Sequence, residues 1–138
     1  MGSSLVYWVQ DLYKNSLLNK GSQIFSMTSA GGRKQWKSYG AVSMAKATLE
    51  SASRQLAIEL APNGIGVNAI QAGVTDTPAL RKIPGNEKMV DFAIKHNPSG
   101  RLKTPDDVAE YICLLSQANN SWLTGNVIRI DGGEDIIG

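Results

Sequence analysis

The sequence predicts an α/β fold in which helices cover both faces of a parallel sheet. Three short apolar runs of strand length are separated by segments with helical periodicity, in the order helix, strand, helix, strand, helices, strand. Strands separated by helices require crossover connections, and such crossovers produce parallel pairing. The strand ends at Ser29, at residues 71–72 and at Asp131 therefore meet at one edge, the usual place for a ligand site.

The first half of the chain predicts two helices with a strand between them. Apolar residues at helical spacing indicate a helix over residues 3–18, which the "NKG" that follows would end. The run "SQIFSMTS" at residues 22–29 is typical of a short buried strand, and a glycine-rich loop comes after it. Residues 40–60 carry the strongest helical pattern, and "APNG" terminates it.

The second half predicts two more strands and two more helices. "IGVNAI" at residues 65–70 has the composition of a buried strand, and a long loop leads from it to a helix over residues 86–96. Thr104 is placed to cap the next helix, because a proline and two carboxylates follow it directly. "NVIRI" at residues 126–130 predicts the last strand.

Composition excludes several classes of protein. With 138 residues, 42% hydrophobic and 19% charged, the chain suits one globular domain and not a disordered segment. A net charge of +2 predicts no nucleic-acid partner, and no apolar run approaches the roughly 20 residues that span a bilayer. The single histidine, His96, predicts no metal site. The single cysteine, Cys113, is expected in the core; it allows no internal disulfide, and with no secretory signal the predicted location is cytoplasmic.

Three residues near the predicted strand ends form a candidate catalytic group. Tyr39 and Lys46 are seven positions apart, which in a helix is within about 20° of two full turns, so they can face one cleft. A nearby ammonium lowers the pKa of a phenol and makes it a usable proton donor. Ser29, at the end of the first strand, can orient a carbonyl oxygen. The alternatives are a surface tyrosine with a solvated lysine, and a serine that merely caps a strand end.

These residues and their surroundings resemble the short-chain dehydrogenase/reductase family. The resemblance rests on five stretches in order: "GSQIFSMTS", Tyr39 to Lys46, "GIGVNAIQAGVTDT", "GRLKTPDDVAEYICLLS" and "LTGNVIRIDGG". It implies an oxidoreductase that transfers hydride between NAD(P)H and a carbonyl or an activated alkene. It also implies a Rossmann-like, doubly wound parallel sheet with flanking helices.

The spacing of the tyrosine points to one branch of this family. Most members have the tyrosine four residues before the lysine, and here Val42 stands at that position. The seven-residue spacing is most similar to that of the enoyl-acyl-carrier-protein reductases, which act in fatty acid biosynthesis on acyl thioesters. Ser29 stands where the general family keeps its catalytic serine and where enoyl reductases have a tyrosine, so a carbonyl (3-ketoacyl) reductase relative stays open.

The resemblance also implies a cofactor site on the loop after the second strand. Lys46 would bind the nicotinamide ribose. The stretch "TDTPA" at residues 75–79, together with Gly73, would border the nicotinamide and its phosphates. Thr75 and Thr77 are expected to contact the cofactor; the alternative is that they only shape a turn.

Residues 1–138 are expected to form a single partial domain, the C-terminal half of the family's usual chain. A glycine-rich phosphate loop between a strand and a helix is not found ahead of the catalytic region, and "SAGGRK" follows the strand in the wrong context. We therefore expect the isolated chain to bind NAD(P)H weakly or not at all. The alternative function is a non-catalytic half-domain, a structural module that forms homo-oligomers through the helices at residues 3–18 and 40–60.

Overall fold

The computed structural model describes residues 2–78, 80–82 and 85–137. Its helices and strands are, in chain order, α1 (Ser4–Lys14), β1 (Gln23–Thr28), α2 (Gly40–Leu60), β2 (Gly66–Ala72), α3 (Asn86–His96), α4 (Pro105–Ser116) and β3 (Val127–Ile130). The predicted order of helices and strands is confirmed. Ala79, the last residue of the predicted cofactor segment, lies outside the described residues.

The three strands form one parallel sheet in the order β1-β2-β3. The register places Met27 beside Ile70 and Ile70 beside Ile128. The central strand β2 is buried along almost its whole length, as expected of a parallel strand covered on both faces. The predicted α/β class with a parallel sheet is therefore confirmed.

The hydrophobic core lies between α2, β2 and α1. Leu56 and Leu60 from the last turns of α2 pack with Ile65 and Val67 at the start of β2, and Val9 of α1 completes the cluster. Each of these five side chains is buried. Burying aliphatic side chains of this size stabilises the fold by about 1.5–3 kcal/mol each, so this contact holds the helix layer on the sheet.

Helix α1 ends at Lys14, four residues before the predicted boundary at residue 18. The side chain of Asn15 donates to the carbonyl oxygen of Asp11 at 2.8 Å, and Ser16 adopts a left-handed conformation with φ of 56°. The amide of Leu17 then donates back to the carbonyl of Leu12. A left-handed residue closed by such a bond terminates a helix, and the apolar residues after it had suggested a longer one.

Helix α4 begins at the predicted cap. The hydroxyl of Thr104 accepts from the backbone amide of Asp107, whose carboxylate accepts from the amide of Thr104, a reciprocal capping box.

The prediction that Cys113 lies in the core is wrong, because its side chain is exposed. Val108 and Ile112 face inward on this helix, and the next residue is turned about 100° away. Within the described ranges, no helix has the length and apolarity to cross a membrane.

The central strand gives a first testable prediction. Ile70 is fully buried in β2, whereas Ile136, after β3, is 72% exposed. We expect Ile70→Ala to lower the free energy of unfolding by about 2–5 kcal/mol, because it leaves a cavity in a covered strand. Ile136→Ala is the matched control and should stay within about 0.5 kcal/mol. Urea unfolding followed by circular dichroism measures both, and equal losses would contradict the assigned core.

Candidate functional site

The site begins where β1 ends. Ser29 has an extended backbone and precedes a single 3-10 turn at Ala30–Gly32. Its hydroxyl is buried and has no hydrogen-bond partner among the described residues. An unsatisfied buried hydroxyl costs about 1–3 kcal/mol, so it marks a place where a ligand atom would be bound favourably.

Ser29 and Tyr39 both lie against the α-carbon of Gly31. A Cβ atom at Gly31 would be 2.6 Å from the ring carbon Cε1 of Tyr39 and 3.3 Å from the hydroxyl oxygen of Ser29. The first distance is a clash, so only glycine lets the tyrosine ring approach this closely. Serine and tyrosine, predicted from sequence as partners, are thus brought to one point of the loop.

The tyrosine ring has a second aromatic neighbour. Tyr39 is the N-cap residue of α2, and its ring meets that of Trp36 edge to face, with centroids 5.4 Å apart and planes at 85°. Such pairs contribute about 0.5–1.5 kcal/mol beyond buried area. The indole is 51% exposed. The ring of Tyr39 is therefore held between Trp36 and Gly31.

Lys46 points toward the same strand end. Its ammonium donates to the carbonyl oxygen of Met27 at 2.8 Å, two residues before Ser29. Burial lowers the pKa of Lys46, and the charge of Glu50, one helical turn away, partly offsets this. An ammonium has three donors, so the Met27 contact orients the lysine without exhausting its capacity to bind.

A polar seam joins β1 to α2 beneath these residues. The hydroxyl of Thr28 donates to the buried carboxylate of Glu50 at 2.7 Å, and the hydroxyls of Ser26 and Ser53 are 2.9 Å apart. A Cβ at Gly32 would be 2.4 Å from the carboxylate of Glu50, so the glycine turn rests directly on this acid. Sequence reasoning missed Glu50, although its position four residues after Lys46 is a signal for a helical pair.

Ser43 is another residue that sequence reasoning missed. Its buried hydroxyl donates to the carbonyl oxygen of Gly31 at 2.5 Å. It lies one helical turn after Tyr39, on the same face of α2. The glycine turn is thereby tied to the helix that carries the tyrosine and the lysine.

The predicted cofactor loop lies at the end of β2. The hydroxyl of Thr75 donates to the carbonyl of Gly73 at 3.0 Å, and that of Thr77 accepts from the amide of Leu80. In the structure both threonines make turn-forming bonds, and their contact with a cofactor stays a prediction. The carboxylate of Glu134 accepts from the amide of Val74 at 3.0 Å and closes this loop from the C-terminal side.

Buried Lys103 and Asp131 and half-buried Glu134 form a group of charges behind that loop. Lys103 is 4% exposed, and its ammonium has no hydrogen-bond partner among the described residues. Burial lowers the pKa of Lys103, while Asp131 and Glu134 act in the opposite direction. Burial likewise raises the pKa of Glu134, and the Val74 amide and Lys103 oppose that change. The loop thus lies against the positive charge of Lys103 and the negative charges of Asp131 and Glu134, which attract one another.

A second charged group fastens the loop between Ser29 and Tyr39 to the C-terminal segment after β3. The carboxylate of Asp135, whose side chain is 4% exposed, lies 2.5 Å from a guanidinium nitrogen of Arg33 and 2.7 Å from the ammonium of Lys34. Gln71, at the end of β2, donates to the same carboxylate at 3.1 Å and accepts from Arg33 at 2.9 Å. Arg129 of β3 adds a more distant charge at 3.7 Å.

The structure therefore divides the predicted site residues into two groups. Ser29 and Tyr39 meet at Gly31, and Lys46 reaches the same strand from α2. Gly73, Thr75 and Thr77 lie on the neighbouring loop, after β2. Because parallel strands end at one edge of the sheet, the two groups lie side by side there.

Comparison with known proteins identifies the family of this arrangement. A family model described as "Enoyl-(Acyl carrier protein) reductase" matches residues 2–134. The NADH-dependent enoyl-acyl-carrier-protein reductase of Synechocystis is 34% identical over 122 residues, which are 88% of this chain and 47% of that protein. The chain thus spans about half the length of the curated relatives it matches.

Two solved structures extend the comparison. The Bacillus cereus enoyl-acyl carrier protein reductase, solved with NADP+ and indole naphthyridinone, is 29% identical and superposes with a TM-score of 0.87, covering 99% of this chain and 52% of that one. The reductase LugOII, which catalyses keto-reduction at C1 during lugdunomycin biosynthesis, is 28% identical with a TM-score of 0.83, covering 98% of this chain and 52% of that one.

The cluster that Asp135 forms with Arg33, Lys34 and Gln71 makes the stability of the fold depend on pH. Burial alone would raise the pKa of Asp135, but its contacts with Lys34 and Gln71 and the charges of Lys34 and Arg33 outweigh burial and lower the pKa from 3.8 to about 2. The unfolded chain therefore takes up this proton first as the pH falls, and the contribution of Asp135, complete above about pH 4, is lost between about pH 4 and pH 2.

We expect Asp135→Asn to flatten the acid limb of the stability curve. Urea unfolding across this pH range should show a smaller loss of stability in the variant than in the wild type. Asp91→Asn, on the exposed side of α3, is the control and should keep the wild-type slope. Parallel curves for Asp135→Asn and the wild type would contradict the assigned pKa.

Proposed function

Because the chain belongs to the enoyl-(acyl carrier protein) reductase family, we propose that residues 1–138 form one partial, Rossmann-like domain that carries the substrate half of an NAD(P)H-dependent enoyl thioester reductase. The observation that carries this proposal is the meeting of Ser29 and Tyr39 at Gly31, with the serine hydroxyl buried and unpartnered. Lys46, held to the same strand, supplies the positive charge that such chemistry needs.

The residues present fit the nicotinamide end of the cofactor. The unpartnered hydroxyl of Ser29 and the remaining donors of Lys46 offer hydrogen-bonding capacity that the fold itself does not use. Lys46 would hold the ribose hydroxyls, and Gly73, Thr75 and Thr77 would border the nicotinamide. NAD(P)H supplies a hydride when bound.

Each catalytic side chain has a distinct role in this proposal. The phenol of Tyr39 donates a hydrogen bond to the thioester carbonyl oxygen, where negative charge develops during reduction. The ammonium of Lys46 adds positive charge near the oxygen where the negative charge develops. The hydroxyl of Ser29 orients the same oxygen. Trp36, half-exposed beside Tyr39, borders the space where the acyl group would enter.

A carbonyl reductase is the second candidate. Ser29 stands seventeen residues before Lys46, where the general family keeps its catalytic serine, and similarity to the keto-reductase LugOII supports this reading. Crotonyl and acetoacetyl thioesters separate the two candidates. Turnover of the crotonyl thioester supports enoyl reduction, and turnover of the acetoacetyl thioester alone supports carbonyl reduction.

The experiment follows NADH and NADPH absorbance with this chain, and with this chain fused behind the N-terminal half of the Synechocystis reductase. We expect the fusion to reduce the crotonyl thioester, because the relatives are about twice as long as the chain. No turnover of either substrate in either form would favour the non-catalytic structural module. The setting we propose is cytoplasmic fatty acid biosynthesis, in keeping with the single cysteine.

Substitutions in whichever form is active, the chain alone or the fusion, test the proposed roles of Tyr39 and Lys46. Tyr39→Phe should lower kcat by about 10²–10⁴-fold, because it removes the proton donor and keeps the ring packing. Adding Val42→Tyr should not restore the rate, since that hydroxyl would start about 4.5 Å further along the helix. Lys46→Ala should weaken both NAD(P)H binding and turnover. Wild-type turnover by Tyr39→Phe would exclude the assigned role.

We also propose that the protein forms homo-oligomers through α1 and α2. Exposed apolar side chains on these helices are Tyr7, Trp8, Met44 and Ile58, each more than 60% exposed, and surfaces of this kind are typical of obligate interfaces.

Sedimentation at several concentrations should give a dimer or larger species, and Ile58→Glu should dissociate it. Phe92→Glu on α3 is the control. A monomer at every concentration would refute the proposed interface.

A further inference from the structure

The buried carboxylate of Asp135 has no role in the function proposed above. It follows β3 in the C-terminal segment, yet its main partners come from elsewhere: Arg33 and Lys34 from the loop between Ser29 and Tyr39, and Gln71 from the end of β2. Arg33 and Asp135 are 102 positions apart in the chain. This is a long-range tether on the catalytic loop.

The physical reason for the tether is the burial of the acid. A carboxylate that is 4% exposed needs compensating charge and hydrogen bonds to remain ionised. The carboxylate of Asp135 receives them from the cations Arg33 and Lys34 and from the amide of Gln71. The side chains of Arg33 and Lys34 are half-exposed, whereas the carboxylate is buried, so the loss of either cation leaves part of a buried charge unpaired.

Apart from the packing of Gly31 on Tyr39 and of Gly32 on Glu50, the loop between Ser29 and Tyr39 has few other fixed points. Its backbone hydrogen bonds are local: Gly32 donates to Ser29, Arg33 and Lys34 donate to Ala30, and Tyr39 donates to Trp36. Ser43 holds the glycine turn, and a long contact of 3.4 Å joins Gln35 to Ser43. The side chains of Arg33 and Lys34 are therefore the main anchors of the loop to the C-terminal edge of the sheet.

We propose that Asp135 is a positioning residue of the catalytic loop. Through Arg33 and Lys34 it holds residues 30–38 against the end of β2, and so keeps Trp36 packed on Tyr39 and Tyr39 beside Gly31 and Ser29. The catalytic consequence rests on the proposed function, whereas the position of the loop is measured without substrate or cofactor.

Trp36 serves as the reporter of loop position. In a background with Trp8→Phe and Trp122→Phe, Trp36 is the single tryptophan, and 5-fluorotryptophan labelling gives one fluorine resonance for it. We expect Asp135→Asn to move this resonance toward that of the free amino acid and to reduce the near-ultraviolet circular dichroism of the Trp36–Tyr39 pair. Asp91→Asn removes a carboxylate from α3 and should leave both signals unchanged.

Further variants separate tethering from general stability. Asp135→Glu keeps the charge and should restore most of the parent signal. If Asp135→Asn does not fold, Lys34→Gln and Arg33→Gln each remove one cation, and each should move the Trp36 resonance in the same direction. A parent-like resonance in folded Asp135→Asn, or in both cation variants, would overturn the proposal.

Kinetics of the active form add a readout that separates the two proposals. If the proposed reduction is observed, Asp135→Asn should lower kcat while KM for NADH stays nearly unchanged, because the loop carries the proton donor and Lys46 is held independently by Met27. A raised KM with unchanged kcat would overturn the positioning role. A displaced Trp36 resonance together with an inactive parent would support the tether and contradict the proposed enzyme.

Discussion

The site depends on the burial of the central strand β2. This strand pairs in parallel with β1 on one side and β3 on the other, and α2 packs against it. Its register fixes where the neighbouring strands end, and therefore brings the segments after Thr28, Ala72 and Ile130 to one edge. The loop between Ser29 and Tyr39, the loop after β2 and the C-terminal segment are neighbours for this reason.

Two glycines set the finer geometry of that edge. The α-carbon of Gly31 lies against the ring of Tyr39, and that of Gly32 lies against the carboxylate of Glu50. A side chain at either position would force the loop away from α2, so this close approach requires glycine at both positions. The tyrosine is placed by packing and the lysine by a hydrogen bond to the strand, and the two constraints are independent of each other.

Sequence patterns predicted the helices, the strands and the pairing of Ser29 with Tyr39, because each depends on local periodicity or on the end of a strand. They did not predict the Asp135 tether, since a contact across 102 positions leaves no trace in local spacing. Cys113 was predicted in the core because its neighbours on α4 are apolar. In the structure fewer of the apolar residues of this helix face inward than that composition suggests. Glu50 and Ser43 were missed because a helix is predicted from the spacing of its apolar residues, and this spacing does not reveal which polar residues face inward.

Helix α2 also explains how one element serves both stability and function. Its last turns contribute Leu56, Ala57 and Leu60 to the hydrophobic core beside the start of β2. Its first half instead presents Ser43, Lys46 and Glu50 to the carboxyl end of β1. In a parallel sheet the strands run the same way, so only the first half of α2 lies beside the strand ends where a ligand site is expected. Burying the polar groups Ser43 and Glu50 at that end costs stability, which the apolar contacts of the last turns offset.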